Sequence, residues 1–365
     1  DHRDAAMLAR QLQVVLHSVC LKYRLHFIGV EPRIVATARY IPSPGVSSDV
    51  HLEPFMVSGG SAREDVMQAV YADTLRWRDG GAPFGVAGIP LPRTSRATDN
   101  RVAVESDLTL SDMALSTVRT LLDSSSQVDA SAPDQIIVCT TSFEHDLALS
   151  CACRLHSELG SSRAPLAVGQ LQGVSFLMAL EIAVAMMAAD IRLRTVAIVA
   201  AERWRRPFSR RIDALIDMGD GAASVLIARH PGPGWCVSGL TVRTPGIPPL
   251  ASEHEPVYTS TLTDVIRQTC ASAGFQPANV DWILPAPIDT RRAREIHTRA
   301  GLRPDRACYI GMDAPGHFCA ADTPARLDAL LQSINPRDGQ HALVWSAGFQ
   351  GQAGCALLEF RGGES

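Results

Sequence analysis

The sequence predicts an α/β fold in which strands and helices alternate along one chain. Six β-like runs of small apolar residues are separated by five stretches whose apolar residues recur at helical spacing. Alternation of this kind is typical of layered α/β architectures. The strands are predicted at residues 33–40, 135–140, 195–200, 222–228, 280–284 and 342–345, and the helices at 109–123, 147–159, 175–189, 262–273 and 290–300.

Length and composition indicate a folded protein with a large core. The chain has 365 residues, of which 46% are hydrophobic and 20% charged, enough for one large domain or two ordinary ones. Its 34 basic and 38 acidic residues give a net charge of −4. Such a balance offers neither a basic face for nucleic acid nor a polybasic patch for membranes. We therefore expect neither a nucleic-acid nor a membrane partner.

The N-terminal segment and the most apolar stretch of the chain bear on localisation. Residues 1–32 are predicted to be an N-terminal extension, because the first strand-like run begins at Arg33. The acidic start lacks the basic region of a secretory signal. Residues 174–189 include Ser175 and Glu181 and end at Asp190, which favours a buried helix over a membrane span. A cytoplasmic protein is expected.

The order of elements repeats along the chain. Each half has a strand, a long helix, a second strand and a glycine-rich turn, which suggests an internal duplication. We place the halves at residues 33–230 and 231–365. The nine cysteines are scattered, and no C-x-x-C pair occurs among them. Buried free thiols are expected, with no disulfide framework and no metal site.

Several short segments, in order, carry a recognisable pattern. The turn Gly219-Asp220-Gly221-Ala222 lacks the spacing of a phosphate-binding loop. It is similar to the glycine turn of ketoacyl-acyl-carrier-protein synthase III, in the thiolase superfamily. The other similar segments are 88–89 with Arg93 and Arg96, 140–155, 196–202, 281–285, 314–316 and 344–358. The resemblance covers about residues 33–361.

The resemblance implies a thiolase-like five-layer αβαβα fold of two similar halves, usually dimeric. It also implies a cysteine at the start of a buried helix, where the helix dipole favours the thiolate that attacks an acyl thioester. A histidine and an asparagine then hold the thioester carbonyl and stabilise the charge that forms on decarboxylation.

This sequence departs from that pattern at all three positions. Anchoring on Phe176 places Gly173 at the cysteine position, and a shift of one residue would place Gln172 or Val174 there. Ala286 stands in the place of the histidine and His317 in that of the asparagine. Decarboxylative condensation by the cysteine route is therefore not expected.

The remaining polar residues leave several roles open. Gly173 is expected to allow close backbone approach at the helix start. Ser175 is a candidate nucleophile with His317 as its base, or else a residue that caps the helix. His317 lies on a glycine-flanked loop, and is either a catalytic group or a satisfied buried histidine. Cys319 is either a thiol beside His317 or a small packing residue.

Binding residues follow from the resemblance alone. It implies that Arg93, Arg205, Arg206 and Gly351 contact coenzyme A or a carrier-protein phosphopantetheine. The arginines around Trp204 equally fit a solvated basic loop. No covalently bound cofactor is expected, and acyl-CoA or acyl carrier protein is the expected substrate.

Two functions are favoured, and a ligand-binding regulator that senses acyl thioesters is a third possibility. One is the non-condensing partner subunit of an acyl-transferring dimer in fatty-acid-type or specialised-metabolite biosynthesis. The other subunit of that dimer would be a thiolase-fold homologue. A homodimer is the alternative assembly. The alternative is an acyltransferase with non-standard chemistry. It would move an acyl group from CoA or acyl carrier protein to an acceptor, using His317 as general base and Ser175 or Cys319 as a possible nucleophile.

Overall fold

The computed structural model describes residues 30–46, 101–125, 132–144, 149–204, 210–212, 216–244, 257–311, 316–348 and 351–363. Within the described residues of the N-terminal half, the elements are three α-helices and nine strands. The helices are α1 (Leu110–Ser124), α2 (Cys151–Leu159) and α3 (Ser175–Ala189). The strands are β1 (Pro32–Tyr40), β2 (Pro44–Val46), β3 (Arg101–Ala103), β4 (Gln135–Thr140), β5 (Leu166–Gly169), β6 (Thr195–Glu202), β7 (Arg211–Ile212), β8 (Ile216–Asp217) and β9 (Gly221–Arg229).

The C-terminal half follows the same plan. Its helices are α4 (Val257–Ser272), α5 (Thr290–Ala300) and α6 (Asp322–Ser333). Its strands are β10 (Gly234–Arg243), β11 (Trp282–Leu284), β12 (His341–Ala347) and β13 (Ala353–Arg361).

The strand order shows the duplication directly. One nine-stranded sheet runs β11-β12-β13-β10-β1-β9-β6-β4-β5. In the first half, β9 lies antiparallel between β1 and β6, and β4 then pairs parallel with β6. In the second half, β13 lies antiparallel between β10 and β12, and β11 pairs parallel with β12. The predicted α/β fold of two similar halves is confirmed.

The three largest apolar cores among the described residues separate five layers. The helices α1 and α2 cover one face of the N-terminal strands, and α4 and α5 cover one face of the C-terminal strands. Between the two sets of strands lie α3 and α6, whose side chains share one core with β4, β6, β12 and β13. Because β6 is buried along its whole length, its continuous apolar sequence fits a strand covered on both faces.

Local signals fix several helix ends. At the start of α1, Thr109 and Asp112 form a capping box. Ser150 caps α2 through the N–H of Cys153. Asp289 accepts hydrogen bonds from two N–H groups at the start of α5, and Gly301 ends that helix in the left-handed conformation. Residues 175–189 and 290–300 form helices with the predicted bounds.

Other predicted bounds need correction. The predicted helix 147–159 begins at Cys151, because the cap is Ser150. The predicted helix 262–273 begins earlier, at Val257. Sequence periodicity missed β5, β10 and α6. The residues before Val30 in the predicted extension lie outside the described residues.

The stretch Gln172–Ala189 is long and apolar enough to cross a membrane, and within the described residues it is the one helix that meets this test. Half of that window is buried inside the protein, where Phe176, Leu180 and Ala183 lie in the central core. A buried core helix meets the same length and composition test. The position of α3 between the two sets of strands confirms the predicted buried helix.

Candidate active site

The starts of the two central helices meet at the middle of the molecule. Before α3, Gln172 adopts a left-handed φ of 55° and opens a 3₁₀ turn, Gln172–Val174. Before α6, Cys319 adopts a φ of 47° and opens the equivalent turn, Cys319–Ala321. The two turns are joined where the Thr323 hydroxyl donates to the Gly173 carbonyl at 3.2 Å. Left-handed backbone at a non-glycine residue is strained and concentrates at functional sites.

Gly173 leaves no room for a side chain. A Cβ atom there would lie 2.7 Å from Ser346 Oγ and 3.1 Å from the carbonyl oxygen of Ala347. The expectation that Gly173 serves close packing is therefore confirmed. The strained residue of this turn is Gln172, the residue that a one-position shift of the sequence pattern would select. Of these two positions at the helix start, Gln172 carries a side chain and Gly173 has no space for one. Neither position carries a thiol.

Ala286 lies in an apolar environment. It follows β11, is buried, and belongs to the same hydrophobic cluster as Met218, Cys319 and Trp345. The carbonyl of Ala286 accepts a hydrogen bond from the N–H of Ile288 at 2.7 Å, which turns the chain towards α5. The side chain of Ala286 therefore contributes packing and no polar chemistry.

His317 is held firmly by its backbone. Its N–H donates to the Asp217 carbonyl at 2.8 Å, and its carbonyl accepts from the N–H of Gly219 at 3.0 Å. The preceding Gly316 has a φ of 100°, and a Cβ there would lie 2.9 Å from the nitrogen of Gly219. Only glycine fits this approach. The loop that carries His317 is thus fixed against the Gly219-Asp220-Gly221 turn.

The His317 ring contacts two groups through one nitrogen. Nδ1 lies 2.9 Å from the backbone nitrogen of Cys319, which donates to it. The same Nδ1 lies 2.8 Å from Oδ2 of Asp322, the first residue of α6. The side chains of His317 and Asp322 are 10% and 5% exposed. Sequence reasoning found His317 but missed Asp322, which comes into contact only because the 3₁₀ turn folds it back.

Ser175 has no base beside it. The residue is fully buried at the start of α3, and its Oγ has no hydrogen-bond partner. It therefore neither caps the helix nor pairs with His317 in this arrangement. Its carbonyl oxygen accepts a weak hydrogen bond from the Cys139 thiol at 3.6 Å.

The thiols near the helix starts are in environments that keep them protonated. Cys319 is fully buried, and its Sγ donates to Thr141 Oγ1 at 3.3 Å. Burial, and then the charge of Glu202, raise the pKa of the Cys319 thiol well above its usual value. The same two causes raise the pKa of Cys139. Because the thiolate is the nucleophile, neither cysteine is suited to attack a thioester.

Glu202 links the two halves of the site. Its carboxylate accepts from the N–H groups of Thr141 at 2.9 Å, Ser142 at 2.7 Å and Ala320 at 3.0 Å. Burial raises the pKa of Glu202, while these hydrogen bonds oppose that rise. This residue fixes the loop after β4 to the turn before α6. From the sequence alone, Glu202 was expected only to end a strand-like segment.

Asp220 anchors the glycine turn. It accepts from Arg210 at 2.8 and 2.6 Å, and from the N–H groups of Glu105 and Trp204, each at 2.8 Å. Both Arg210 and Arg203 are buried, so these two arginines are structural rather than part of a solvated basic loop.

Of the predicted ligand contacts, Arg93, Arg205 and Arg206 lie outside the described residues. Gly351 lies in the closing loop after β12, with a φ of 85°, and its N–H donates to the Gly348 carbonyl at 3.2 Å. A left-handed φ of this size favours glycine at position 351. Gly351 therefore has a structural role in the loop turn, and ligand contact there remains a prediction.

Comparison with known proteins agrees with this architecture. Residues 270–360 match the model of the 3-oxoacyl-[acyl-carrier-protein (ACP)] synthase III C-terminal domain. The structure of 3-oxoacyl-(acyl carrier protein) synthase III from Pseudomonas aeruginosa PAO1 superimposes with a TM-score of 0.64 and 16% identity, over 92% of this chain and all of that one. The chain has the ketoacyl synthase III fold.

Two other solved proteins share this fold. The acyltransferase ChlB3 matches with a TM-score of 0.66 and 18% identity, over 91% of this chain and 98% of its own. The tetronic acid condensing enzyme AbyA1 matches with a TM-score of 0.62 and 15% identity, over 91% of this chain and all of its own. The ketoacyl synthase III fold thus carries acyl-transferring and condensing enzymes, and the predicted thiolase-like fold is confirmed.

Proposed function

We propose that this ketoacyl synthase III-like protein does not condense through a cysteine and acts as the non-condensing subunit of an acyl-transferring dimer. Its pathway would be fatty-acid-type or specialised-metabolite biosynthesis in the cytoplasm. The observation that carries the proposal is the close contact of Gly173 with Ser346 and Ala347, which leaves no space for a nucleophile at that point of the helix start. The apolar surroundings of Ala286 and the protonated Cys319 support it.

The edge of the sheet supports a dimer. The strand β5 lies at the end of the nine-stranded sheet and pairs only with β4 within the described residues. Leu166 on this strand is 37% exposed, and Ile191 just beyond α3 is 57% exposed. A strand edge beside exposed apolar side chains is suited to pairing with another chain. The proposed partner is a thiolase-fold homologue with the cysteine in place, and a homodimer is the other possible assembly.

A basic helix face supports contact with an acidic carrier. The helix α5 begins four residues after Ala286, and its exposed side includes Arg291, Arg294 and Arg299. Complementary charge of this kind guides an acidic protein to its docking position. We propose acyl carrier protein, or the phosphates of coenzyme A, as the ligand on this side.

The second candidate function is an acyltransferase that uses no covalent intermediate. It is favoured by the 2.8 Å contact between His317 and Asp322, because a carboxylate beside an imidazole is an arrangement that supports a general base. The structurally similar ChlB3 is described as an acyltransferase. In this case the chain would move an acyl group directly from CoA or carrier protein to an acceptor.

Intact-mass spectrometry after incubation with a panel of acyl-CoAs and acyl carrier proteins tests the proposal. The chain is measured alone, and again after co-expression with a cysteine-bearing homologue encoded nearby. We expect no adduct on this chain, and an acyl adduct on the homologue that co-purifies with it. A stable adduct on Ser175 or Cys319 would refute the non-condensing role. Acyl transfer by the isolated chain without any adduct would favour the second candidate.

A further inference from the structure

The helix α3 is apolar on all sides, yet one of its faces is only partly covered by the described residues. The window Gln172–Ala189 is apolar enough to span a membrane, and only half of it is buried. The partly exposed face consists of side chains three or four residues apart, namely Met178, Glu181, Ile182, Ala185 and Ala189. A helix that is apolar all round is normally covered on every side, so another surface is expected to lie against this face.

The sheet edge formed by β5 adjoins this side of the helix. The strand β5 contacts α3, and Val168 and Ile182 pack against the same central core. Leu166 and Ala167 on β5 are exposed, as is Ile191 just beyond α3. We call this surface, made of β5, the partly exposed side of α3 and Ile191, the β5–α3 face. Its strand edge presents N–H and C=O groups that the strand of another chain can bind and that lipid cannot.

Glu181 is the one ionisable residue of the β5–α3 face. Its side chain is half-buried, and burial alone raises the pKa of its carboxyl, because no charge or hydrogen bond among the described residues opposes the rise. Arg163 precedes β5 and Arg192 follows α3, but both contact Asp190, at 2.7 Å and 3.1 Å. An apolar surface placed over Glu181 would therefore leave a buried carboxylate without a partner, which is costly.

A second copy of this chain does not supply the missing cation. In a two-fold symmetric dimer, the same surface patch of both subunits forms the interface. The β5–α3 face of a copy would bring another Glu181 and no basic residue, and the arginines at its ends are already paired with Asp190. Like charges brought together weaken an interface. The face therefore disfavours self-association.

We infer that the β5–α3 face binds a non-identical chain with a strand edge of its own, and that an arginine or lysine of that chain pairs with Glu181. This inference rests on the proposed function, whose partner is a thiolase-fold homologue with the cysteine in place. It selects that heterodimer over the homodimer. Strand pairing and apolar burial supply affinity, and Glu181 decides the choice of partner, because a charge buried without its counterpart excludes the wrong chain.

Two substitutions of Glu181 test the inference by native mass spectrometry and analytical ultracentrifugation. Glu181→Leu removes the charge, and we expect the isolated chain to self-associate at least about 10-fold more tightly than the unaltered chain. Glu181→Arg reverses the charge, and we expect the dissociation constant with the cysteine-bearing homologue to rise about 100-fold. Leucine and arginine are both good helix formers, and circular dichroism checks that each variant is folded.

The matched controls are Glu158→Leu and Glu158→Arg, at a surface carboxylate on α2 that lies 3.3 Å from Arg119. Neither should change either association. Replacing the facing arginine or lysine of the homologue by glutamate should restore binding to Glu181→Arg and weaken binding to the unaltered chain.

Equal affinity of the Glu181→Arg and unaltered chains for the homologue would overturn the inference, as would the absence of a heterodimer. An unaltered chain that self-associates as tightly as Glu181→Leu would overturn it too. An acyl adduct on this chain, found together with the expected affinities, would count against the non-condensing role alone.

Discussion

Replacing Gly173 by cysteine introduces the nucleophile that the resemblance implies. The structure predicts that this variant does not gain cysteine-based acyl transfer. The new Cβ would lie 2.7 Å from Ser346 Oγ and 3.1 Å from the Ala347 carbonyl oxygen. Ser346 is 1% exposed and the second contact is to backbone, so neither atom moves freely. Overpacking of this kind costs about 1–3 kcal/mol. We expect a loss of stability in that range and no acyl adduct.

The contact with Ser346 can be isolated by a double-mutant cycle. Gly173→Ala is compared in the unaltered protein and in Ser346→Ala, which removes the atom at 2.7 Å. Apparent free energies of unfolding are measured by urea titration with tryptophan fluorescence. We expect Ser346→Ala to recover about 1 kcal/mol of the cost, as is usual for residues in direct contact.

Gly169→Ala provides the matched control for this cycle. A Cβ at Gly169 would make an ordinary contact, 3.5 Å from the Thr140 carbonyl oxygen. Its effect should stay within about 0.5 kcal/mol. A Gly173→Cys protein that is as stable as the unaltered protein and becomes acylated would contradict this prediction, because the helix start would then have space for a nucleophile.

Three other predictions concern buried polar groups. Burial lowers the pKa of His297 to about 4, against about 6.5 in an unfolded chain. As the pH falls, the unfolded state therefore binds the proton first, and the free energy of unfolding should fall by up to about 3 kcal/mol between pH 6.5 and 4. Urea titrations at several pH values compare the slope of the unfolding free energy against pH in the unaltered protein and in His297→Gln. Equal slopes in the two proteins would contradict this prediction. Asp220→Asn breaks the buried ion pair with Arg210 and should lower the free energy of unfolding by about 3–5 kcal/mol, measured by the same titration. A loss below about 1 kcal/mol would contradict this prediction. Ser175→Ala removes a buried hydroxyl without a hydrogen-bond partner, so the free energy of unfolding should change by less than about 1 kcal/mol. Any acyl transfer measured for the unaltered protein should be retained in this variant. Loss of transfer would instead support Ser175 as a nucleophile.

The bounds of helices and strands could be predicted from the sequence where an element has strong apolar periodicity or capping residues. The helix α5 could be predicted to the residue, because Asp289 supplies its N-cap and Gly301 its left-handed end. The strand β6 follows from an uninterrupted apolar run. The resemblance to ketoacyl synthase III also predicts that Gly173 and Ala286 stand where a cysteine and a histidine are expected, and this assignment stays a prediction. In contrast, β5 is four residues long and mostly exposed, so no alternating pattern marks it.

Tertiary structure alone decided which polar residues meet. Asp322 and His317 are five residues apart, and their contact depends on the left-handed Cys319 and the 3₁₀ turn that follows it. Glu202 reaches Ala320 across more than a hundred residues because the two halves bring β6 and α6 together at the centre. Ser175 stood out in the sequence, but its Oγ is left without a partner in the fold. The contact between Glu202 and Ala320 arises from the packing of two similar halves, and no spacing along the chain encodes it.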